Sequence, residues 1–273
     1  MKKNIKTLVD DIYNLFGDEP DIDKKELDKH VQTFCTEVGQ QIITALFEDR
    51  KRDNKLRLSA IGKPDRQLWY NVNQKNKAAP LPPSTRIKFT KVSGHSVRDT
   101  QKELLVSGVK GHQDAIIDDV LVDCKSASGR GFEKFKNNRV YDDDPFGYIP
   151  QISAYAQANG LDEAAFLAID KSTGEICLTP VHSLEMINAE ERVDYLKEMV
   201  SSDSLPDKCY SDIPDGKSGN RRLAVGCVYC DYKQLCWSDS NGGKGLRVFN
   251  YAQNKKYLTE VAREPDVLEI KES

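Results

Sequence analysis

Apolar and polar positions follow two periods along the chain, and each period predicts a type of element. Over about 26–50 the apolar residues recur every three to four positions, which is the pattern of an amphipathic helix. The stripe consists of Leu27, Val31, Phe34, Val38, Ile42 and Leu46. Cys35 lies beside this stripe, and we interpret it as a small core residue. The polar, proline-rich stretch NQKNKAAPLPPST at 73–85 predicts a loop.

The middle of the chain predicts strands and helices in alternation. The runs LLVSGVKGHQDAII (104–117) and VLVDCKSAS (120–128) flank Asp118-Asp119 and predict two strands joined by a tight turn. AAFLAID and EICLTPV, on either side of KSTG, predict a second hairpin. PFGYIPQISAYAQANG predicts a helix that ends near Gly160. NAEERVDYLKEMV predicts a helix with a capping box from Asn188 to Glu191. Its inward face would consist of Val193, Leu196 and Val200.

This order of elements predicts an α/β (α+β) fold with a central mixed β-sheet flanked by helices. The 273 residues suit one large domain or one domain with an appended segment. With 30% charged residues and no long apolar run, a membrane span is not expected. The first residues lack the apolar region of a secretion signal, so we expect a cytoplasmic protein.

Two carboxylates and a lysine form the first candidate site. A strand alternates faces, so Asp123 and Lys125 share one face while Val122 and Cys124 share the other. If Asp118-Asp119 is the turn, Asp114 approaches Asp123 from the neighbouring strand. Carboxylates with a backbone carbonyl between them suit Mg²⁺ or Mn²⁺. The alternative is an ordinary surface salt bridge.

Three cysteines, Cys227, Cys230 and Cys236, form the second candidate site, with the spacing C-x₂-C-x₅-C. In a reducing compartment such crowding is typical of metal ligation rather than disulfides. Thiolates select zinc or iron–sulfur clusters. The net charge of −3 provides no overall basic field, but a nucleic-acid enzyme can confine positive charge to one channel. The basic stretch GRGFEKFKNNR predicts such a region as a mobile loop, with Arg130, Lys134, Lys136 and Arg139.

Three ordered motifs carry a resemblance to a known family: GHQD (111–114), VDCK (122–125) and QISAY (151–155). They follow the G-x-x-D, (D/E)-x-K and Q-x-x-x-Y order of the PD-(D/E)XK nuclease superfamily, and the chain resembles its RecB-like exonuclease branch over roughly 56–237. IGKPDRQLWY and YDDDPFGYIPQISAYAQA look more narrowly like exonucleases of tailed bacteriophages.

The resemblance implies a role for each matching residue. Asp114, Asp123 and the Cys124 carbonyl would hold Mg²⁺ or Mn²⁺, and Lys125 would be the catalytic lysine. Gln151 and Tyr155 would help to bind DNA beside the active site. The family usually adds a His or Glu ligand on a helix before G-x-x-D, but the stretch STRIKFTKVSGHSVRDTQKELLV (84–106) is too short for that helix and its connections. Either the protein dispenses with this ligand or the sequence lacks a segment near 88–94. We interpret His95, in this stretch, as a loop histidine.

Relatives with the C-terminal cysteine spacing commonly hold a [4Fe–4S] cluster with a fourth, upstream cysteine. Asp65 occupies that position here, and we expect it to be the fourth ligand, with Cys35, Cys209, a three-iron cluster or zinc as alternatives. The cluster would join the C-terminal part of the chain to the segment near residue 65. The predicted domains are therefore a helical segment at 1–55, a nuclease core with its cluster at 56–240, and a tail at 241–273.

The resemblance implies a metal-dependent exonuclease that hydrolyses DNA from its ends, in phage DNA replication, recombination or host-DNA degradation. One alternative is a CRISPR-associated or structure-specific nuclease of the same branch. Another is a DNA-binding module without catalysis, which the intact Asp114, Asp123 and Lys125 argue against.

Overall fold

The computed structural model describes residues 4–14, 23–47, 54–74, 94–142, 144–252 and 254–271. Most of the predicted proline-rich loop lies outside the described residues, as do residues 84–93 of the stretch searched for a ligand helix. The chain divides into two compact units. The first comprises 1–62 and 79–197, the second 63–78 and 198–273.

In chain order, the helices are α1 Leu8–Asn14, α2 Lys24–Phe47, α3 Asp65–Asn73, α4 Arg130–Lys136, α5 Tyr148–Asn159, α6 Ala189–Ser201, α7 Val225–Val228, α8 Lys233–Cys236 and α9 Ser240–Gly243. The strands are β1 Val97–Arg98, β2 Glu103–Val106, β3 Val109–His112, β4 Ala115–Ile117, β5 Val120–Ala127, β6 Glu163–Asp170, β7 Ile176–His182, β8 Ile213–Pro214, β9 Arg221–Arg222, β10 Arg247–Asn250, β11 Lys255–Glu260 and β12 Glu269–Ile270.

A mixed sheet with strand order β1-β4-β5-β6-β7 is the centre of the first unit. β5 and β6 run parallel, and the other neighbours are antiparallel. Leu8 of α1 packs on one face against a cluster that includes Val122 and Leu167. Phe135 of α4 contacts Phe166 on the other face, with ring centroids 5.5 Å apart. The predicted α/β class, a central mixed sheet flanked by helices, is confirmed.

The second unit has its own antiparallel sheet, in the order β12-β10-β11-β9-β8. Its core contains Leu223, Cys227, Trp237, Val248 and Tyr257. Residues 241–271, predicted as a tail, supply three strands of this sheet.

Helix α3 completes the second unit. Trp69 donates its indole N–H to the carbonyl of Ser202, 2.9 Å away. The Tyr70 and Tyr232 rings stack with centroids 5.2 Å apart, and the Tyr232 hydroxyl donates to Asn71 Oδ1 at 2.9 Å. The RQLWY segment therefore packs against the segment that carries the cysteine motif.

Several predicted elements are found close to their expected bounds. α5 ends at Gly160, whose φ of 63° lies in the left-handed region that suits glycine. The N–H of Glu191 donates to the Asn188 side chain at the start of α6. The inward-facing residues predicted for α6 are all buried: Val193, Leu196 and Val200. The second hairpin is β6–β7.

Two strand and loop predictions are wrong. The run 104–117 is three strands, because Ser107 and Gly108 both adopt positive φ and turn the chain back, pairing β2 with β3 in a separate two-stranded sheet. The stretch 129–139 is largely helix α4 rather than a mobile loop. Phe132 and Phe135, three positions apart, are both buried and hold it.

Helix α2 begins and ends near its predicted bounds, but its predicted core residue is exposed. Cys35 is exposed, as are Leu27, Val31 and Phe34 of the apolar stripe. The interpretation of Cys35 as a core residue is therefore wrong, and the side chains of Val38, Ile42 and Leu46 lie outside the described part of the chain. No helix in the described part of the chain is long and apolar enough to cross a membrane.

Candidate active site and cysteine cleft

The β4–β5 hairpin brings the two predicted carboxylates together. Asp118 and Asp119 form its two-residue turn with φ of 47° and 66°, the conformation of a type I′ turn. The pairing of Ala115 with Val122 makes Asp114 and Asp123 the next opposed positions. The predicted tight turn is confirmed.

Strand β5 presents its residues to the two faces as predicted. Cys124 packs with Val122 in the cluster beneath α1. On the opposite face, Lys125 Nζ lies 2.5 Å from Asp123 Oδ2 and 4.7 Å from the ring centroid of Tyr148 in α5. The acid and the lysine thus meet on the face that α5 covers.

Backbone and side-chain donors fix the carboxylate of Asp114. The N–H of Cys124 donates to its Oδ2 at 2.7 Å, and Gln101 Nε2 donates to its Oδ1 at 3.0 Å. The Gln101 N–H also donates to the Asp114 carbonyl at 3.0 Å. Gln101 has a φ of 54°, which is uncommon outside glycine and is the kind of strain that accumulates at functional sites.

Asp123 is a buried acid, 2% exposed. Burial raises its pKa, Lys125 opposes this, and the nearby charge of Asp114 raises the pKa further. Lys125 Nζ lies beside Asp123 Oδ2, and its hydrogen bond lowers the pKa of the carboxyl against the effect of burial. A buried carboxylate is costly unless it is paired or binds a cation.

Helix α5 supplies the groups that hold the lysine. Lys125 Nζ donates to Gln151 Oε1 at 3.0 Å. The Gln151 side chain in turn hydrogen-bonds the hydroxyl of Tyr155, whose pKa is raised to about 12, chiefly by burial. The residues predicted from QISAY therefore form a connected chain with Lys125.

The glycine of GHQD has a packing role. A Cβ on Gly111 would lie 2.6 Å from Leu58 Cβ and 2.9 Å from Tyr155 Cε1, closer than real contacts allow. Any side chain here would push Tyr155 away, so the glycine of the motif and its tyrosine depend on each other.

His95 has a structural position rather than a place beside the two acids. Its ring is buried, with Nδ1 2.6 Å from Asp118 Oδ2 and Nε2 2.9 Å from Asp11 Oδ2. The ring thus connects α1 to the hairpin turn. Both of its nitrogens are engaged there, so it is not placed as a ligand for Asp114 and Asp123.

The carboxylate oxygens of Asp114 and Asp123 are donor atoms that suit a hard divalent cation. The two residues offer these oxygens beside two neighbouring strands, and the carboxylate of Asp123 is almost fully buried. Among the described residues, no three His, Cys, Asp or Glu side chains are already arranged to hold a metal ion. A cation at this site would therefore rely on Asp114, Asp123, a backbone carbonyl such as that of Cys124, and water.

The basic residues predicted to contact DNA lie in and just after α4. Lys136 is 2.7 Å from Glu175, and Arg139 is 2.8 Å from Asp142. Arg130 and Lys134 lie in the helix itself. Their contact with DNA stays a prediction.

Sequence reasoning missed Gln101 and two aromatic residues. Tyr148 lies three positions before Gln151, so helical spacing could have placed it on the same face. Phe146 is 65% exposed and stacks on Tyr148 with centroids 5.4 Å apart. Gln101 reaches Asp114 from another loop, and no local pattern signals that contact.

A cleft in the second unit contains the cysteine motif, and we call it the cysteine cleft. It is lined by four cysteines: Cys209, Cys227, Cys230 and Cys236. Pro64 and Arg66 also line it, but Asp65 between them does not. In the described part of the chain these thiols do not yet converge on one point as metal ligands.

The thiols of the cleft affect one another and receive N–H donors. Burial is the main cause that raises the pKa of Cys227, to about 11, and the neighbouring thiols Cys236, Cys209 and Cys230 raise it as well. A hydrogen bond from the Trp237 side chain lowers this pKa. Burial likewise raises the pKa of Cys230, and a hydrogen bond from the Tyr232 backbone lowers it.

Positive charge also surrounds the cleft. Arg66 and Lys208 both lower the pKa of the Cys236 thiol, against the effect of burial. Arg66 Nη1 donates to the Pro206 carbonyl at 3.0 Å. Its Nε is buried and has no hydrogen-bond partner among the described residues.

Comparison with known proteins gives partial structural likenesses. No protein-family model matches the chain, and no curated protein matches it. Among solved structures, SSO0001 is 13% identical with a TM-score of 0.37, over 74% of this chain and 94% of that one.

Two exonucleases are also similar. The alkaline exonuclease LHK-Exo from Laribacter hongkongensis is 14% identical with a TM-score of 0.27, over 40% of this chain. A phage related exonuclease from Haemophilus somnus 129PT is 16% identical with a TM-score of 0.27, over 39% of this chain. The chain spans 55% and 57% of their respective lengths.

Proposed function

We propose that the chain is a divalent-metal-dependent deoxyribonuclease that hydrolyses phosphodiester bonds from DNA ends. The observation that carries this is the meeting of Asp114, Asp123 and Lys125 at the β4–β5 hairpin. There Lys125 is held by Gln151 and by the buried carboxylate of Asp123. An ordinary surface salt bridge would not be 2% exposed on its acidic side.

Each residue has a defined task in this mechanism. Asp114, Asp123 and the Cys124 carbonyl would hold Mg²⁺ or Mn²⁺, which polarises the phosphate and acidifies a bound water. Lys125 stabilises the negative charge that develops on the phosphate oxygens. The attacking water gives one proton to solvent as its oxygen bonds to phosphorus, one P–O ester bond breaks, and the leaving sugar oxygen takes a proton from solvent. Gln151 and Tyr155 keep Lys125 oriented.

Aromatic residues beside the lysine favour a nucleic acid over a small phosphodiester. The exposed ring of Phe146 continues from Tyr148, which contacts Lys125. Bases stack on such rings without regard to sequence. A frayed DNA end could thus place its last base on Phe146 and the adjoining phosphate near Lys125.

The test is cleavage of end-labelled linear DNA with Mg²⁺, with Mn²⁺ and with a chelator, beside a closed circular plasmid. We expect degradation of the linear DNA only when metal is present, and persistence of the circle. Lys125→Ala should reduce the rate by about 10²–10³-fold, as for other groups that stabilise transition-state charge.

Lys110→Ala is the matched control, since Lys110 is an exposed lysine paired with Glu103 on the β2–β3 hairpin. Its rate should equal that of the wild type. If Lys125→Ala cleaves as fast as Lys110→Ala, or if no metal supports cleavage, the proposal is wrong. Cleavage of the circle would make the enzyme an endonuclease.

A further inference from the structure

We propose that Cys209, rather than Asp65, is the fourth ligand of a thiolate metal centre with Cys227, Cys230 and Cys236. The centre would hold a thiophilic metal, either an iron–sulfur cluster or a zinc ion. It would lie wholly within the second unit, and the inference does not depend on the proposed nuclease activity.

Placement in the cleft is the first argument. Cys209 lies 18 positions before Cys227 and outside the C-x₂-C-x₅-C pattern, yet all four thiols line one cleft. Cys209 is also close enough to affect each of the other three electrostatically. Asp65 is the first residue of α3 and does not line the cleft, although both of its neighbours do.

Ligand chemistry is the second argument. Four thiolates satisfy either a tetrahedral zinc ion or a four-iron cluster, whereas a carboxylate is a harder ligand that suits such metals less well. The four free thiols, one buried and three half-buried, line one cleft and so share an environment that a metal could use.

The surroundings of the thiols are the third argument. Four thiolates on a 2+ centre leave a net charge of about −2, which requires donors and cations nearby. Trp237 and the Tyr232 backbone already donate to Cys227 and Cys230. Arg66 lines the cleft, and its buried Nε–H has no hydrogen-bond partner in the described part of the chain. This N–H is therefore available to donate a hydrogen bond to a thiolate sulfur. Lys208 adds positive charge beside Cys236.

Binding would exchange protons for metal. Each of the four thiols loses its proton as its sulfur binds the metal, so no oxidant or reductant is needed for zinc or for a preformed cluster. In the described part of the chain the four thiols are not arranged as a metal site, so binding would have to bring their sulfur atoms together.

The experiment measures metal content rather than activity. The full chain is purified without oxygen, and iron, zinc and acid-labile sulfide are counted per chain. The variants are Cys209→Ser, Cys227→Ser and Asp65→Asn, with Cys177→Ser as the control, since Cys177 lies in β7 of the first unit. We expect Cys209→Ser to lose metal as fully as Cys227→Ser, while Asp65→Asn and Cys177→Ser keep the wild-type content.

Alkylation of the unsubstituted protein guards against variants that fail to fold. Mass spectrometry should find the four cleft thiols protected while metal is bound and alkylated after its removal, with Cys35 reactive throughout. Iron with sulfide identifies a cluster, and zinc alone identifies a zinc site. Full metal content in Cys209→Ser, reactive Cys209 in the loaded protein, or a wild type without metal even after reconstitution would each overturn the proposal.

Discussion

Asp123 is the residue at which function and stability conflict most directly. Its pKa is raised because burial disfavours the charged form. The stability that a raised pKa contributes is fully present below the unfolded-state pKa and is lost as the pH rises through the folded-state pKa. In the absence of metal, ionisation of Asp123 therefore lowers the stability of the fold as the pH rises.

Asp123→Asn should then have opposite effects on activity and stability. We expect cleavage to fall by about 10²-fold or more, since a metal-binding oxygen is removed. With chelator present, the variant should unfold at a higher temperature than the wild type at neutral pH, and this advantage should shrink as the medium is acidified. Thermal unfolding across a pH series measures this. Asp162→Asn, at an exposed position, is the control, and a variant less stable than the wild type at neutral pH would contradict the argument.

Phe146 permits a test of end recognition. Phe146→Ala should weaken binding of frayed or single-stranded ends by about 1–3 kcal/mol, the usual contribution of one base stacked on an aromatic side chain. Fluorescence anisotropy with Ca²⁺ in place of Mg²⁺ measures affinity without cleavage. Phe146→Trp should retain affinity. Leu184→Ala, which removes a 97% exposed apolar side chain from the segment directly after β7, should change nothing. If all three variants bind DNA ends with the affinity of the wild type, Phe146 does not stack on a base.

At the scale of elements, His95 holds α1 against the hairpin turn. His95→Ala leaves the Asp11 and Asp118 carboxylates without the ring between them, and it should destabilise the first unit by roughly 2 kcal/mol. Amide exchange should rise in α1, where Leu8 is otherwise buried in the core. His112→Ala, at a half-exposed histidine, serves as the comparison. Unchanged exchange in α1 would show that Leu8 alone anchors the helix.

Helix α4 is where the basic stretch can be tested. Neutralising Arg130, Lys134, Lys136 and Arg139 together should weaken DNA binding and flatten its dependence on salt. The log–log slope should fall by about 0.9 for each phosphate that the variant no longer neutralises. Two double variants divide the set. One neutralises Arg130 and Lys134, and the other neutralises Lys136 and Arg139, which pair with Glu175 and Asp142. A salt slope equal to that of the wild type would mean that α4 lies away from the DNA.

Elements set by local chemistry were predictable from the sequence, and contacts between distant segments were not. The turn at Asp118-Asp119 and the stop at Gly160 follow from turn and helix-end preferences that act over a few residues. Alternation along β5 correctly separated Asp123 and Lys125 from Val122 and Cys124. By contrast, the contacts of Gln101 with Asp114, and of Asp11 with His95, join segments whose spacing carries no signal. Helix α4 was missed because its charges concealed the Phe132–Phe135 pair.

At the scale of the whole molecule, the two units should respond to different metals. Removal of the thiophilic metal from the cysteine cleft should expose the amides of β10 and β11, whose sheet shares a core with Cys227. The amides of β5 and β6 should stay protected. Hydrogen exchange with mass spectrometry measures both sets in one experiment. Removal of Mg²⁺ alone is the control and should leave β10 and β11 unchanged, and simultaneous opening of both sheets would contradict independent responses.

The packing of α3 against the cysteine segment also orders events during synthesis. Asn71 leaves the ribosome 161 residues before its partner Tyr232, which at usual translation speeds is a wait of roughly 10–30 s. During that time the side chains of Leu68 and Tyr70, which are buried in the folded unit, have no partner from the C-terminal segment and are open to a holding chaperone. The four cleft thiols, in contrast, emerge within one short stretch, 209–236. If they bind metal as proposed, capture there closes only short loops and would build the surface on which the waiting helix then docks.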